Sequence, residues 1–239
     1  MTKIKTAISP PEPQPRLRLE ERDGYLSLVD VAGRHGPIFC DFVAGGGAHR
    51  RKYGGGLQQP LARACGISGK FKPLICDANA GMGRDSLVFA SLGARVEMVE
   101  RQPQVAELLR DGLCRLAIAA EHSAEHKALM ARLSLCEGDA LELLTDVQAK
   151  RFDVIYLDPM FPPRDKSAKV KKEMAAFHSL VGRDSDADQL LQAAFAAAQY
   201  RVVVKRPRTA EWLGDLKPSH AIEGKTVRYD IYVNTAIPK

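Results

Sequence analysis

No stretch of this sequence is apolar for long enough to cross a membrane as a helix. The start, Met1-Thr2-Lys3-Ile4-Lys5, lacks the apolar segment of a secretory signal peptide, so a cytoplasmic location is expected. Cysteine is sparse and unpaired. The five residues, Cys40, Cys65, Cys76, Cys114 and Cys136, form no CxxC pair and have no metal-ligand spacing. That argues against a disulfide framework or a metal centre and suggests reduced, mostly buried thiols. There is no internal repeat. There is also no GxGxxG fingerprint, which disfavours a nicotinamide-dependent oxidoreductase.

What is present fits one α/β domain with an N-terminal addition, the natural prior for 239 residues. Hydrophobic residues make up 45% and charged residues 27%, ordinary values for a globular protein. The net charge of +6 favours a polyanionic partner without saying anything about fold.

Residues 1–15 contain four prolines and read as an extended lead-in. Residues 16–70 read as a small β-rich subdomain. It begins with a hairpin, Arg16–Glu20 and Tyr25–Val29 around the turn signal Asp23-Gly24, followed by a short strand over Pro37–Val43. Two glycine triplets, Gly45–Gly47 and Gly54–Gly56, flank a basic segment, and a helix is expected over Gln58–Ala64. Residues 71–239 alternate strand and helix. Strands are expected at Leu74–Cys76, Arg95–Val99, Leu133–Cys136, Val154–Leu157, Tyr200–Val204 and Val227–Val233. Helices are expected at Arg84–Leu92, Pro103–Ala120, Ala140–Leu144, Ser185–Ala198 and Ala210–Leu213. Such alternation predicts a mostly parallel sheet with helices on both faces.

Acidic residues end four of these strands. Leu74-Ile75-Cys76-Asp77 runs into Ala78-Asn79-Ala80-Gly81-Met82-Gly83 and a helix start at Arg84-Asp85. Small residues let a ligand approach the backbone, and a helix N-terminus favours a carboxylate or phosphate. Asp77 at the head of the turn disfavours a pyrophosphate and suits a ligand ammonium. Glu100, followed by Arg101, ends the second strand about twenty residues after the glycine turn, a position suited to a ribose diol. Glu97 is the weaker candidate. Gly138-Asp139 after the third strand can face an adenine, or Asp139 can simply cap the next helix. Asp158 ends the fourth strand. Ligands of open α/β sheets bind along this carboxyl edge.

Asp158 opens the segment Asp158-Pro159-Met160-Phe161-Pro162-Pro163. By itself it is either a proline-rich turn or a clamp for a planar amine. In the second reading Asp158 and the Pro159 carbonyl accept hydrogen bonds from an NH₂ group, and a flat heterocycle stacks on Phe161. Stacking there requires an extruded or single-stranded nucleotide. The loop that follows carries Arg164, Lys166, Lys169, Lys171 and Lys172, which can hold phosphates or can be a solvated surface. Arg50-Arg51-Lys52 is a second cationic candidate, and Lys205-Arg206-Pro207-Arg208, read as following the fifth strand, is a third. His49 and His178 have no partner spacing and read as structural or surface residues.

The four acidic strand ends and the small-residue turn, from Leu74 to Val233, resemble the class I S-adenosylmethionine (SAM) methyltransferases. The resemblance implies a Rossmann-like, mostly parallel seven-stranded sheet and SAM as methyl donor, with S-adenosylhomocysteine as product. Asp77, Asn79, Gly81 and Gly83 would then lie along the methionine moiety, Glu100 at the ribose, and Gly138 and Asp139 near the adenine. Asp-Pro-Met-Phe is similar to the Asp/Asn-Pro-Pro-Phe/Tyr motif of nucleobase-amine methyltransferases, with Met160 replacing the second proline. Together with Ala48–Gly56, Ala80–Asp85, Tyr156–Pro162 and Lys171-Lys172-Glu173-Met174, the pattern resembles the RsmJ family. These bacterial enzymes methylate the 2-amino group of a guanine near the 3′ end of 16S ribosomal RNA.

That resemblance implies 16S RNA or the 30S subunit as partner, Asp158, Pro159 and Phe161 at the acceptor, and Arg84, Asp85, Glu100, Arg101, Gly138, Asp139 and Asp158 at the cofactor. It leaves the oligomeric state open. Two alternatives fit the residues alone: an amine methyltransferase acting on DNA adenine, and a SAM-binding ribosome assembly factor with little turnover.

Overall fold

The computed structural model describes residues 17–33, 36–44, 56–145, 151–159 and 186–238. The chain opens with an antiparallel ribbon of β1 (Leu17–Arg22) and β2 (Tyr25–Asp30). Its turn has positive φ at both Asp23 and Gly24 (52° and 78°). That geometry matches the right-handed twist of the flanking strands, which is why Asp-Gly is a strong hairpin signal.

A seven-stranded sheet follows, with strand order β5-β4-β3-β6-β7-β9-β8. Its members are β3 (Leu74–Asp77), β4 (Arg95–Glu100), β5 (Leu133–Glu137), β6 (Val154–Leu157), β7 (Arg201–Pro207), β8 (His220–Glu223) and β9 (Val227–Val233). The first five are parallel; β9 runs antiparallel to both β7 and β8. From β3 the chain moves outward through β4 and β5, then returns to place β6 on the other side of β3. The order therefore reverses between β3 and β6, and a crevice opens there at the carboxyl ends.

Successive residues of the central strands face opposite sides of the sheet. Ile75, Val154, Tyr156 and Val203 enter one apolar cluster, while Cys76, Ile155, Leu157, Val202 and Val204 enter the other. Both faces are covered, so these strands read as unbroken apolar runs. Helices α2 (Arg84–Ser91) and α3 (Pro103–Ala120) cover the first face through Leu87, Phe89, Leu108 and Leu109. Helices α5 (Ala140–Thr145) and α6 (Ala187–Ala197) cover the second through Leu144, Leu190 and Leu191. Leu28, Ile38 and Phe42, from the N-terminal part of the chain, belong to the first cluster.

Several expectations need correction. Pro37–Val43 is not a strand; one bridge, Leu28 to Ile38, is its whole pairing. Asp41 Oδ1 accepts the Val43 and Ala44 amides instead, which curls the chain. The helix expected at Ala210–Leu213 is a 3-10 turn at Leu213–Asp215, broken by positive φ at Gly214. Helix α1 is shorter than expected, Pro60–Ala64, with a 3-10 turn at Gly56–Gln58 ahead of it. Strand β8 and helix α4 (Ala124–Met130) have no counterpart among the expected elements. Of the cysteines, Cys40, Cys65 and Cys76 are buried, Cys136 is half-buried and Cys114 is exposed. Among the described residues no helix is long and apolar enough to cross a membrane.

Gly83 caps α2 with φ at 65°, and a Cβ there would lie 2.8 Å from the Phe42 ring. Gly83→Ala is therefore expected to cost about 2–4 kcal/mol, from left-handed strain and overlap together. Urea denaturation checks the value. Phe42→Ala opens the space the new methyl needs, so the double variant should cost less than the sum of the single ones.

Candidate active site

The crevice between the ends of β3 and β6 is lined by ten of the residues singled out above: Asp77, Asn79, Gly81, Arg84, Asp85, Glu100, Arg101, Gly138, Asp139 and Asp158. Gly83 lies behind the glycine turn, against Phe42. Pro159 is buried at the end of the described segment. Phe161, Arg50, Arg51, Lys52, Lys166, Lys169, Lys171 and Lys172 lie outside the described residues, as do Met160, His49 and His178.

The glycine turn is held by backbone bonds from both neighbouring strands. Ala78 N–H donates to the Tyr156 carbonyl at 3.0 Å, and Ala80 N–H to the Val99 carbonyl at 3.1 Å. Glu100 fixes three loops at once. Its carboxylate accepts Gly81 N–H at 3.0 Å and Gln102 N–H at 2.8 Å, and its carbonyl accepts Gly138 N–H at 3.0 Å. Glu97 forms an ion pair with Arg151 and is not part of the crevice lining. Asp139 caps α5 by accepting Leu141 N–H at 2.7 Å. It also borders the crevice, so the capping and ligand-facing readings are compatible. Arg101 donates to Asp186 at 2.7 Å and lies 3.5 Å from Asp139, tying the α5 and α6 starts together.

Asp77 is 2% exposed. Its Oδ2 accepts the Ser86 hydroxyl at 2.5 Å, while its Oδ1 is buried with no hydrogen-bond partner. Burial pushes its pKa up to about 7. The Ser86 bond pulls downward, Asp85 and Asp158 push further upward, and Lys205 opposes them. Asn79 Oδ1 is a second buried acceptor without a partner. Two orphaned acceptors at the small-residue turn fit a ligand ammonium, which brings the missing donors. The residues present therefore suit SAM, whose methionine moiety carries one.

Strand register explains a further cluster. Leu157 pairs with Val204, so one residue further on Asp158 sits beside Lys205. Tyr156, Asp158 and Lys205 share the face covered by α2, whose first turn carries Asp85. Lys205 Nζ lies 2.7 Å from Asp158 Oδ2 and 2.8 Å from Asp85 Oδ2, and the Tyr156 hydroxyl donates to the same Asp85 oxygen at 2.7 Å. Burial acts to lower the Lys205 pKa, but the two carboxylates outweigh it and hold the ammonium above its usual range. Burial, then Asp85, push the Tyr156 phenol well up, so it stays a donor.

Lys205 and Arg206 thus lie within β7, not after it, and neither is a free surface cation. Lys205 borders the crevice, and Arg206 is buried and donates to the Glu211 carbonyl. Arg208 is exposed and pairs with Glu223 at 3.1 Å. The sequence reading named Lys205 only as a cation for phosphates, and it did not single out the side chains of Tyr156, Ser86 and Asp186. One signal was available for Lys205: a charged residue directly after Val202-Val203-Val204 marks the carboxyl end of a doubly buried strand.

A family profile described as "Putative SAM-dependent methyltransferase" matches residues 4–234. A ribosomal RNA small subunit methyltransferase J from Aeromonas hydrophila subsp. hydrophila is 53% identical over 202 residues, 84% of this chain and 80% of its own. Its namesake from Ectopseudomonas mendocina is 49% identical over 215 residues, 90% and 81% of the two chains. The crystal structure of a SAM-dependent methyltransferase from Neisseria gonorrhoeae, at 36% identity, matches with a TM-score of 0.70 over 95% of this chain and 86% of that one.

A buried carboxyl with a raised pKa has a definite effect on stability. Between about pH 4 and 7 the unfolded chain has released the Asp77 proton while the folded chain keeps it. Asp77 therefore lowers ligand-free stability as pH rises through that window, by on the order of 4 kcal/mol when complete. Asp77→Asn should raise ligand-free stability at pH 8 and change it little at pH 4. Urea denaturation of both proteins at the two pH values provides the test; equal differences would refute the burial account.

Proposed function

The chain belongs to the ribosomal RNA small subunit methyltransferase J family of SAM-dependent methyltransferases, and we propose that it methylates the exocyclic 2-amino group of a guanine near the 3′ end of 16S ribosomal RNA. The observation that carries this reading is a carboxylate, Asp158, at the switch-point crevice beside a cofactor turn with unfilled acceptors. Bound SAM supplies an electrophilic methyl group on a sulfonium. The chain's own groups do the rest.

Asp77 and Asn79 take the ammonium, and the remaining lone pairs of the Glu100 carboxylate take the ribose. Gly138 and Asp139 border the adenine. Arg84, at the first position of α2, faces the cofactor carboxylate with the helix N-terminus behind it. A guanine amine is a weak nucleophile because its lone pair is delocalised into the ring. Asp158 and the Pro159 carbonyl accept its two N–H bonds and turn the lone pair toward the methyl group. Phe161 carries the ring. Alignment of this kind supplies most of the acceleration. With SAM bound, its sulfonium would supply the methyl to the guanine nitrogen with S-adenosylhomocysteine as the product, and the proton shed by the amine would go to Asp158 or to solvent.

The phosphates fall to Arg50, Arg51, Lys52, Lys166, Lys169, Lys171 and Lys172, giving binding that weakens with salt. Small ribosomal subunits are cytoplasmic, and so is this proposed site of action. Residues 1–15, 16–70 and 71–239 are proposed to act as lead-in, RNA-facing N-terminal part and methyltransferase domain.

Mass mapping of 16S RNA nucleosides from a strain lacking the protein should show one N2-methylguanosine missing. In a tritium-transfer assay, label should enter 16S RNA or immature 30S particles; label in duplex DNA alone would sink the reading. Asp158→Ala should lower transfer by roughly 10²-fold or more while calorimetry finds SAM affinity largely kept. Unchanged turnover would remove Asp158 from the acceptor site.

A further inference from the structure

The Asp158–Lys205 pair raises a question that amine orientation does not answer. A lone carboxylate would serve any exocyclic amine, of adenine, cytosine or guanine. Here an ammonium stands beside it, 2.7 Å away, and both groups border the crevice. Lysine has three N–H donors. Two point at Asp158 and Asp85, which leaves one donor on a group that lines the crevice.

Along this edge the protein offers acceptor, acceptor, donor: the two oxygens of Asp158, then Lys205 Nζ. Cytosine offers the same order to guanine through its O2, N3 and exocyclic amine. We infer that the Asp158–Lys205 pair acts as a cytosine mimic and selects guanine by reading its Watson–Crick edge. The inference rests on the guanine-amine reading above. The guanine 2-amino group donates to one Asp158 oxygen, N1–H donates to the other, and Lys205 Nζ donates to O6. The second 2-amino hydrogen remains for the Pro159 carbonyl.

The same array rejects adenine. Adenine presents a donor and then a bare N1 acceptor, whose lone pair would face a carboxylate oxygen, a repulsive contact in a partly desolvated site. Reading a flipped base by its Watson–Crick edge is a common solution for enzymes that extrude their target. Asp85 and Tyr156 complete the device. Asp85 holds Lys205 from the α2 side, and the Tyr156 hydroxyl holds Asp85, so the ammonium keeps its place when the base is absent.

Replacing O6 by sulfur tests Lys205 alone, because N1–H and the 2-amino group remain. Small-subunit particles are assembled with guanine or 6-thioguanine at the methylated position, and kcat/KM is measured for each. The wild-type protein should lose about 10-fold or more on the sulfur substrate, the cost of one weakened base contact. Lys205→Met should be slower on guanine and nearly indifferent to the exchange. Equal sulfur sensitivity in the two proteins overturns the inference, since a merely structural lysine would slow both substrates alike. Should Lys205→Met fail to fold, Lys205→Met with Asp85→Asn, which removes one carboxylate that Lys205 neutralises, replaces it under the same criterion. Absence of any label on the guanine 2-amino group with wild-type protein would instead defeat the functional reading, a separate outcome.

Discussion

Two carboxylates share one ammonium at the carboxyl edge of the sheet, and the chemistry available there depends on that sharing. Asp77, Asp85 and Asp158 come from three elements that converge on the switch point. Three anions so close, in a partly dry crevice, cannot all remain ionised unaided. Lys205 neutralises Asp85 and Asp158 directly. Burial raises the Asp77 pKa, Asp85 and Asp158 push it further, and the Ser86 hydroxyl and the lysine offset only part of the rise. The result is a division of labour among chemically identical side chains. Asp158 sits at the mouth against the ammonium, Asp85 braces that ammonium from α2, and Asp77 keeps a buried oxygen without a hydrogen-bond partner. Removing one partner of such a cluster costs more than the pair contributes in place, because a buried charge is left behind.

The sequence made much of this legible, and it did so wherever local pattern decides structure. The bounds of β6, β9 and α3 match the expected ones to the residue, since apolar blocks with clear punctuation define them. The acidic strand ends followed, because a strand that is apolar on both faces has only its ends left for polar residues. Lys205 was misread for the same reason that it matters. Its partners, Asp85 and Asp158, lie 120 and 47 residues away in the chain, and only the parallel register of β6 and β7 brings them together. Strand β8 escaped because it is a short edge strand with mostly exposed side chains and no alternation to detect. Pro37–Val43 misled in the opposite direction: its apolar residues are there to pack, not to pair. Ile38, Cys40 and Phe42 are buried with a single bridge among them.

That packing ties the N-terminal part of the chain to the glycine turn. The Phe42 ring fills the space beside Gly83 and Gly112, and the Cys40 thiol approaches the Met82 carbonyl at 3.7 Å. Arg115, on α3, donates to the Cys40 carbonyl and to Asp111, and its guanidinium lies over the Tyr25 ring. Gly83 is thus constrained twice. Its left-handed φ lets the turn enter α2, and its missing side chain makes room for an aromatic ring from a distant segment. The glycine turn beside the crevice and the ribbon ahead of it share one core, so a change in the packing of either is felt by the other.

The distribution of charge completes the reasoning. The chain as a whole carries +6, yet among the described residues the crevice is lined by six acidic side chains against three cations. A phosphate would be repelled from such a crevice, while an ammonium or a sulfonium would be drawn to it. A polyanion attracted by the overall positive charge therefore meets a boundary at the crevice mouth. Under the proposed function its backbone would stay outside, and a neutral base with donors to offer carboxylates would cross. Guanine, which presents two adjacent N–H groups on one edge, satisfies that condition better than adenine, which presents one beside a lone pair. On that proposal, the excess of acid inside a basic protein would act as a filter on which part of a nucleic acid enters. Among the described residues, Lys205 is the cation that borders the crevice and also holds Asp158.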